Sequence, residues 1–334
     1  MHNTLRSSRL AAHIATITAM VIPALGGTAC LTAAVGRAAS HEPAVVIDTC
    51  AVRTGTDWGS SSRHARQRAI EALPLAQMMP GDRQAVEQAV AATTLYRRLP
   101  VELFACESDL LSFALEKPEA IVDIWRLLGI SRLSLDPAGP AQWRLSDGYG
   151  TVGLLRLTHR ERRPEGGMLV FHGRGAYTGP LSPKNLSGNC VLMVRYRQAE
   201  PMVDGRHRQA VQIDAFLDMD GIGLEIVTRT LQPLIVRSAA ANLHEICLFM
   251  ASLSAAATAN PEGVAALARR LPRTAPADQQ TLATIATTAA HRQQRPQPAV
   301  QLAENEGTEA ADRLTVDLAA RWLKTDELDG LKRR

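Results

Sequence analysis

The densest collection of groups able to do chemistry lies between Phe171 and Asn189, which reads FHGRGAYTGPLSPKNLSGN. Histidine exchanges a proton near neutral pH, and arginine can grip a carboxylate or phosphate with two parallel hydrogen bonds. Tyrosine adds a flat apolar surface with a hydroxyl. His172, Arg174, Tyr177 and Lys184 are therefore the expected binding residues, and an anion or carboxylate is the expected target. Catalysis is a second reading. The His172-Gly173-Arg174-Gly175 run could turn backbone N–H groups toward an oxyanion, but that chemistry also needs a nucleophile elbow of the form GxSxG, which the chain lacks. A hydrolase or transferase would then rest on His172, with Arg174 stabilising an anion. The same glycines would also suit a long hairpin loop on backbone grounds.

Other motifs carry less. Asp218-Met219-Asp220-Gly221 has the oxygens of a calcium loop, but with Gly221 at the sixth position Phe216 falls first and Val227 twelfth, and neither can ligate. His244-Glu245 opens like a zinc-protease helix, yet Leu248 stands where the second histidine must be. Asp214 and Glu225 would sit together on a solvated sheet face. No metal and no cofactor is expected. Cysteines 50, 106, 190 and 247 follow the N-terminal segment. Cys190 and Cys247 both lie on apolar faces, so they are the expected near neighbours and a possible disulfide; two buried free thiols is the other reading.

Period-two alternation places Val211, Ile213, Ala215 and Leu217 on one face of a strand. Asp220-Gly221 then predicts a tight turn into a return strand over Ile222–Val227, with a further short strand at Leu234–Val236. Leu243, Ile246, Cys247, Met250 and Leu253 recur at helical spacing, and Asn260-Pro261 restarts a second helix. Earlier strands are expected at Gln142–Leu145, Thr151–Thr158, Met168–His172 and Cys190–Arg197. Short turn-like breaks between them favour antiparallel pairing. Helices are expected from Ala65 onward, with one from Asp82 to about Arg98 and another from Pro118 to Gly129.

The expected class is α+β. An N-terminal helical segment precedes an antiparallel sheet of about six to seven strands, a long C-terminal helix covers it, and a partly disordered tail follows. The corresponding regions are a signal peptide (1–39), a mainly helical region (40–135), the sheet with its covering helices (140–272), and a low-complexity linker with a terminal amphipathic helix (273–334). At the level of fold alone this layout resembles helix-grip proteins, whose curved antiparallel sheet closes around a C-terminal helix. The resemblance implies lipid or ligand binding.

The first 39 residues hold Arg6, Arg9 and Arg37 and no acid, around an apolar, alanine-rich run closed by small residues. That order is a secretory signal. An uncleaved anchor is the alternative. The chain carries a net +4, and the part beyond the signal is near neutral, which argues against nucleic acid. Few aromatics argue against stacking platforms for single strands. The run around Cys247, broken by serine and threonine, reads as too short to span a bilayer. The expected protein is thus exported, to the periplasm or cell envelope, with secretion as the alternative. It is non-catalytic and binds a partner protein or small ligand through the 171–189 loop and the sheet. A structural, N-terminally anchored protein is the third reading.

Overall fold

Strand residues here are chosen by face. Leu169, Phe171, Leu192, Val194, Val211 and Ile213 bury toward one side of the sheet, and Val170, Val191, Met193 and Phe216 toward the other. A computed structural model describes residues 52–53, 59–178, 186–202, 206–220, 224–293, 313–320 and 323. It is α+β. Among the described residues nine strands form one antiparallel sheet: β1 Val52–Arg53, β2 Leu95–Arg98, β3 Glu102–Ala105, β4 Ser134–Gly139, β5 Gln142–Ser146, β6 Thr151–Arg163, β7 Gly166–Tyr177, β8 Leu186–Ala199 and β9 Arg208–Asp220. The order across the sheet is β1-β3-β9-β8-β7-β6-β5-β4, and β2 also pairs with β9. The helices are α1 Arg63–Glu71, α2 Pro80–Ala91, α3 Ser108–Glu116, α4 Pro118–Leu127, α5 Leu224–Ala259, α6 Pro261–Arg269 and α7 Pro276–Gln293.

One sheet face carries the main core. Leu243, Phe249, Met250 and Leu253 of α5 pack there with Ile121, Ile124 and Trp125 of α4 and with Val264 and Leu267 of α6. Trp125 meets Phe249 edge-on, with ring centroids 5.8 Å apart. Asn260 caps α6 by accepting a bond from the Gly263 N–H, ahead of Pro261 at its first turn. The opposite face is covered at its centre by α1 and α2. Ala65, Met78, Val86 and Val90 pack there on Val170, Val191, Met193, Phe216 and Tyr96. Ser62 caps α1 through the Ala65 N–H at 3.1 Å.

Several expectations are corrected. The chain does not return as a strand after Asp220: from Leu224 it is helical, and α5 runs through Leu234–Val236 to Ala259. Alternation over four or five apolar residues fits a buried helix as well as a strand, and here the helix prevails. Gly221 lies outside the described residues. The helix expected to reach Arg98 ends at Ala91, and Leu95–Arg98 instead joins β9. The region read as mainly helical thus lends β2 and β3 to the sheet. Most of the turn-rich 136–140 run belongs to edge strand β4, which ends at Gly139, and Pro137 is tolerated there because an edge can spare a donor. The 273–334 segment is not all linker, since α7 contributes Leu282 and Ala286 to the core. Residues 313–319 form the expected terminal helix, and Leu314, Leu318 and Ala319 bury into the same core rather than facing a partner. Residues 239–259 of α5 have the length and apolar composition to cross a bilayer, contrary to the sequence reading. Most of this stretch is buried among the chain's own side chains.

Candidate functional site

The expected site residues divide between strands and faces. Phe171 to Tyr177 is not a loop but the second half of β7, paired along its length with β6 and β8. Alternation sends His172 and Arg174 to the α2 side of the sheet and Tyr177 to the α5 side. There Tyr177 is buried at 2% exposure, and its hydroxyl has no hydrogen-bond partner among the described residues. Lys184 lies outside the described residues. His172 and Arg174 thus belong together, while Tyr177 does not join them.

The glycines also have a structural reason. A Cβ on Gly173 would stand 2.6 Å from Cys190 Sγ, and one on Gly188 would stand 2.4 Å from the Asp218 carbonyl oxygen. They permit close strand neighbours rather than an approach to a ligand. Gly173→Ala is expected to destabilise the fold by about 1–3 kcal/mol through overpacking. Adding Cys190→Ala should recover part of that loss in urea unfolding. Equal losses in the single and double variants would refute the contact.

Cys106, Cys190 and Cys247 are free and buried, so no Cys190–Cys247 bond joins β8 to α5. Burial pushes the Cys106 and Cys190 thiols up to about 12 and Cys247 well above the ordinary range, with Glu102 and Cys106 adding to the Cys247 rise. The thiol beside Cys247 is therefore that of Cys106, because β3 and not β8 lies under that part of α5. His244 does not face a metal site either: its Nδ1 lies 2.9 Å from Oε2 of Glu102, a fully buried carboxylate on β3.

His172 and Arg174 line a cleft of about 460 Å³ between the sheet and the start of α2. Gln142, Leu154 and Arg156 complete its sheet wall, and Met79, Gly81, Asp82 and Ala85 its helix wall. Cross-strand register explains the grouping: Gln142 pairs with Arg156 and Arg156 with His172, while Arg144 pairs with Leu154 and Leu154 with Arg174. Asp82 sits in the first turn of α2, where a negative charge is favoured. It binds Arg156 through two contacts, 2.8 Å to Nε and 3.2 Å to Nη2. Arg174 is exposed and has no hydrogen-bond or ion-pair partner among the described residues. Burial holds the His172 imidazole below its usual range. Asp82 opposes that shift, and Arg174 and Arg156 reinforce it.

A depressed histidine has a definite linkage. Unfolding lets His172 take up a proton between its folded value and the ordinary value of about 6.5, so its contribution to stability is lost as pH falls through that window. NMR titration should place the His172 midpoint below the ordinary histidine value. His172→Gln should flatten the acid side of the stability profile. A His172 midpoint at or above the ordinary value would contradict the burial argument.

A second polar assembly lies on the same face, beneath α1, where the Tyr96 hydroxyl reaches the Ala65 carbonyl at 3.0 Å. Asp214, expected on a solvated face, is fully buried. Tyr96 donates to its Oδ1 at 2.5 Å, Arg98 Nε to the same atom at 2.8 Å, and Arg195 Nη2 to Oδ2 at 2.5 Å. Burial and the adjoining Asp214 carboxylate hold the Tyr96 phenol far above its ordinary range. The α1–α2 cover and the β2 residues account for the burial, and β2 was not anticipated.

Arg156, Asp82 and Leu154 were missed as site residues. The LLRLTHR run does hold Arg156 and Leu154 in period two, so only the register was lacking. Asp82 reaches the cleft from a distant helix and left no signal. Among the described residues, no group of three or more histidine, cysteine, aspartate or glutamate side chains is placed to hold a metal ion. The fold and cleft define an α+β protein with an open, arginine-lined surface recess. No protein-family model and no curated protein matches this chain. A crystal structure of a conserved protein from Geobacillus kaustophilus matches over 46% of this chain and 95% of its own, at 10% identity and a TM-score of 0.28. A match at that level carries no argument about this chain.

Proposed function

We propose that this chain is a non-catalytic binding protein of the cell envelope, taking a small ligand or partner with an anionic group at the His172–Arg174 cleft. The observation that carries the reading is Arg174, an exposed guanidinium with no ion-pair partner among the described residues, in a recess of small-molecule size. Arg156 is already balanced by Asp82, so an incoming anion would meet Arg174 first. The cleft's described lining holds no serine, threonine or cysteine. That favours binding over a hydrolase or transferase built on His172. Export is part of the proposal and rests on the basic, apolar and small-residue order of the first 39 residues.

Calorimetry of the full chain with small carboxylates and inorganic phosphate tests the site. Arg174→Gln is expected to weaken anion binding by about tenfold or more, the loss of one charge-assisted contact. Binding that is unchanged in a folded Arg174→Gln variant would remove the cleft from the proposal. Mass analysis of exported protein should find a start between Gly36 and Ser40, and retention of Met1 in the membrane fraction would overturn export as a soluble protein.

A further inference from the structure

We propose that the cleft takes a single-chain anionic amphiphile, with its head on Arg174 and its hydrocarbon tail along Leu154 and Val152 beside Met79. The inference rests on the binding reading above and adds the ligand's chemical class. The large hydrophobic side chains exposed among the described residues are Met79, Tyr149, Val152 and Leu154, at 70%, 39%, 51% and 40%. They are not scattered. Val152 and Leu154 lie two apart on the same face of β6, Tyr149 sits in the turn that enters β6, and Met79 faces Leu154 across the cleft. Apolar surface gathered beside a recess marks a binding site more often than chance.

Charge completes the pattern. Arg144, Leu154 and Arg174 stand side by side across β5, β6 and β7, so an exposed leucine has an arginine on each side at roughly 5 Å strand spacing. Arg132 lies over the Tyr149 ring at 5.6 Å. Nearby acids are committed elsewhere. Asp82 holds Arg156, Asp136 holds Arg273 at 2.9 Å, and buried Asp147 accepts the Tyr149 and Thr151 N–H groups. The surface left over is positive and apolar together. A small inorganic anion would use only its arginines. A flat bilayer would meet the rim, while the recess between α2 and the sheet suits one chain.

The test is calorimetry of the full chain with dodecanoate, octanoate, inorganic phosphate and uncharged dodecyl maltoside. Parallel arms use phosphatidylglycerol vesicles and poly-glutamate. Dodecanoate is expected to bind at least about tenfold tighter than octanoate, since each buried methylene adds to affinity. Leu154→Gln, and independently Val152→Gln, should shrink that ratio at these exposed positions, and Arg174→Gln should weaken dodecanoate without creating affinity for the maltoside. If phosphate and octanoate bind as tightly as dodecanoate, the amphiphile proposal fails and the anion site stands. If no anion binds, both fail. Capture by vesicles or poly-glutamate without binding of dodecanoate would overturn the proposal in favour of a lipid surface or an acidic protein.

Discussion

Replacing Asp214 by alanine is expected to lower stability by about 3–5 kcal/mol, the scale for removing one partner from a buried charge cluster. Asp214 is fully buried, while the side chain of Arg98 is 15% exposed and that of Arg195 33%. With the carboxylate gone, Arg98 loses its counter-charge in a nearly closed site and the Tyr96 hydroxyl loses a short acceptor. Arg195 is open enough to recover water, so most of the cost should fall on Arg98. Removing the arginine as well, in Asp214→Ala with Arg98→Met, should restore part of the loss by taking out the stranded charge. Urea unfolding with an unchanged m-value would measure both. A loss below about 1 kcal/mol for Asp214→Ala would mean that the cluster does not fasten β2 to β9.

Phe249→Ala should cost about 3–5 kcal/mol, the range for deleting a buried aromatic. Phe249 is fully buried in the C-terminal half of α5 and packs edge-on against Trp125 of α4. The variant also decides the role of the 239–259 stretch, which has the composition of a membrane span. If α5 is the core helix, the variant protein stays in the soluble fraction but melts earlier. A variant with unchanged melting, recovered with membranes, would reverse the assignment.

The parts legible in the sequence share a cause. β5 to β9 show apolar alternation bounded by turn residues, and α4 and α6 show helical stripes with Pro118 and Asn260-Pro261 at their starts. Each signal is local, so one chain segment suffices to read it. β2, β3 and the partners of Asp214 were not legible, because Leu95–Arg98 becomes a strand only by pairing with β9. The return strand after Asp220 failed for the complementary reason: a short apolar run carries no information on period, and α5 absorbed it. At the site, His172 and Arg174 were found by residue type, and they share a face because β7 sets them two residues apart. Tyr177 was misplaced because the segment was read as a loop, and strand parity, once β7 is known, sends it to the other face. Arg156 and Asp82 required the register and the tertiary fold respectively.

One pairing governs the order in which this protein can form. β9 has β8 on one side, its neighbour in the chain, and β2 and β3 on the other. Thr94 on the approach to β2 bonds Leu217 across 123 residues. During synthesis β2 and β3 therefore emerge without their partner and must wait for residues 208–220 to leave the ribosome. The β5–β8 meander can assemble earlier, since its contacts are hairpin neighbours. Non-local closure of this kind is the slow part of folding. A chain whose first half cannot close until late stays open along that half for much of its synthesis, and its early strands are exposed to wrong partners for that time.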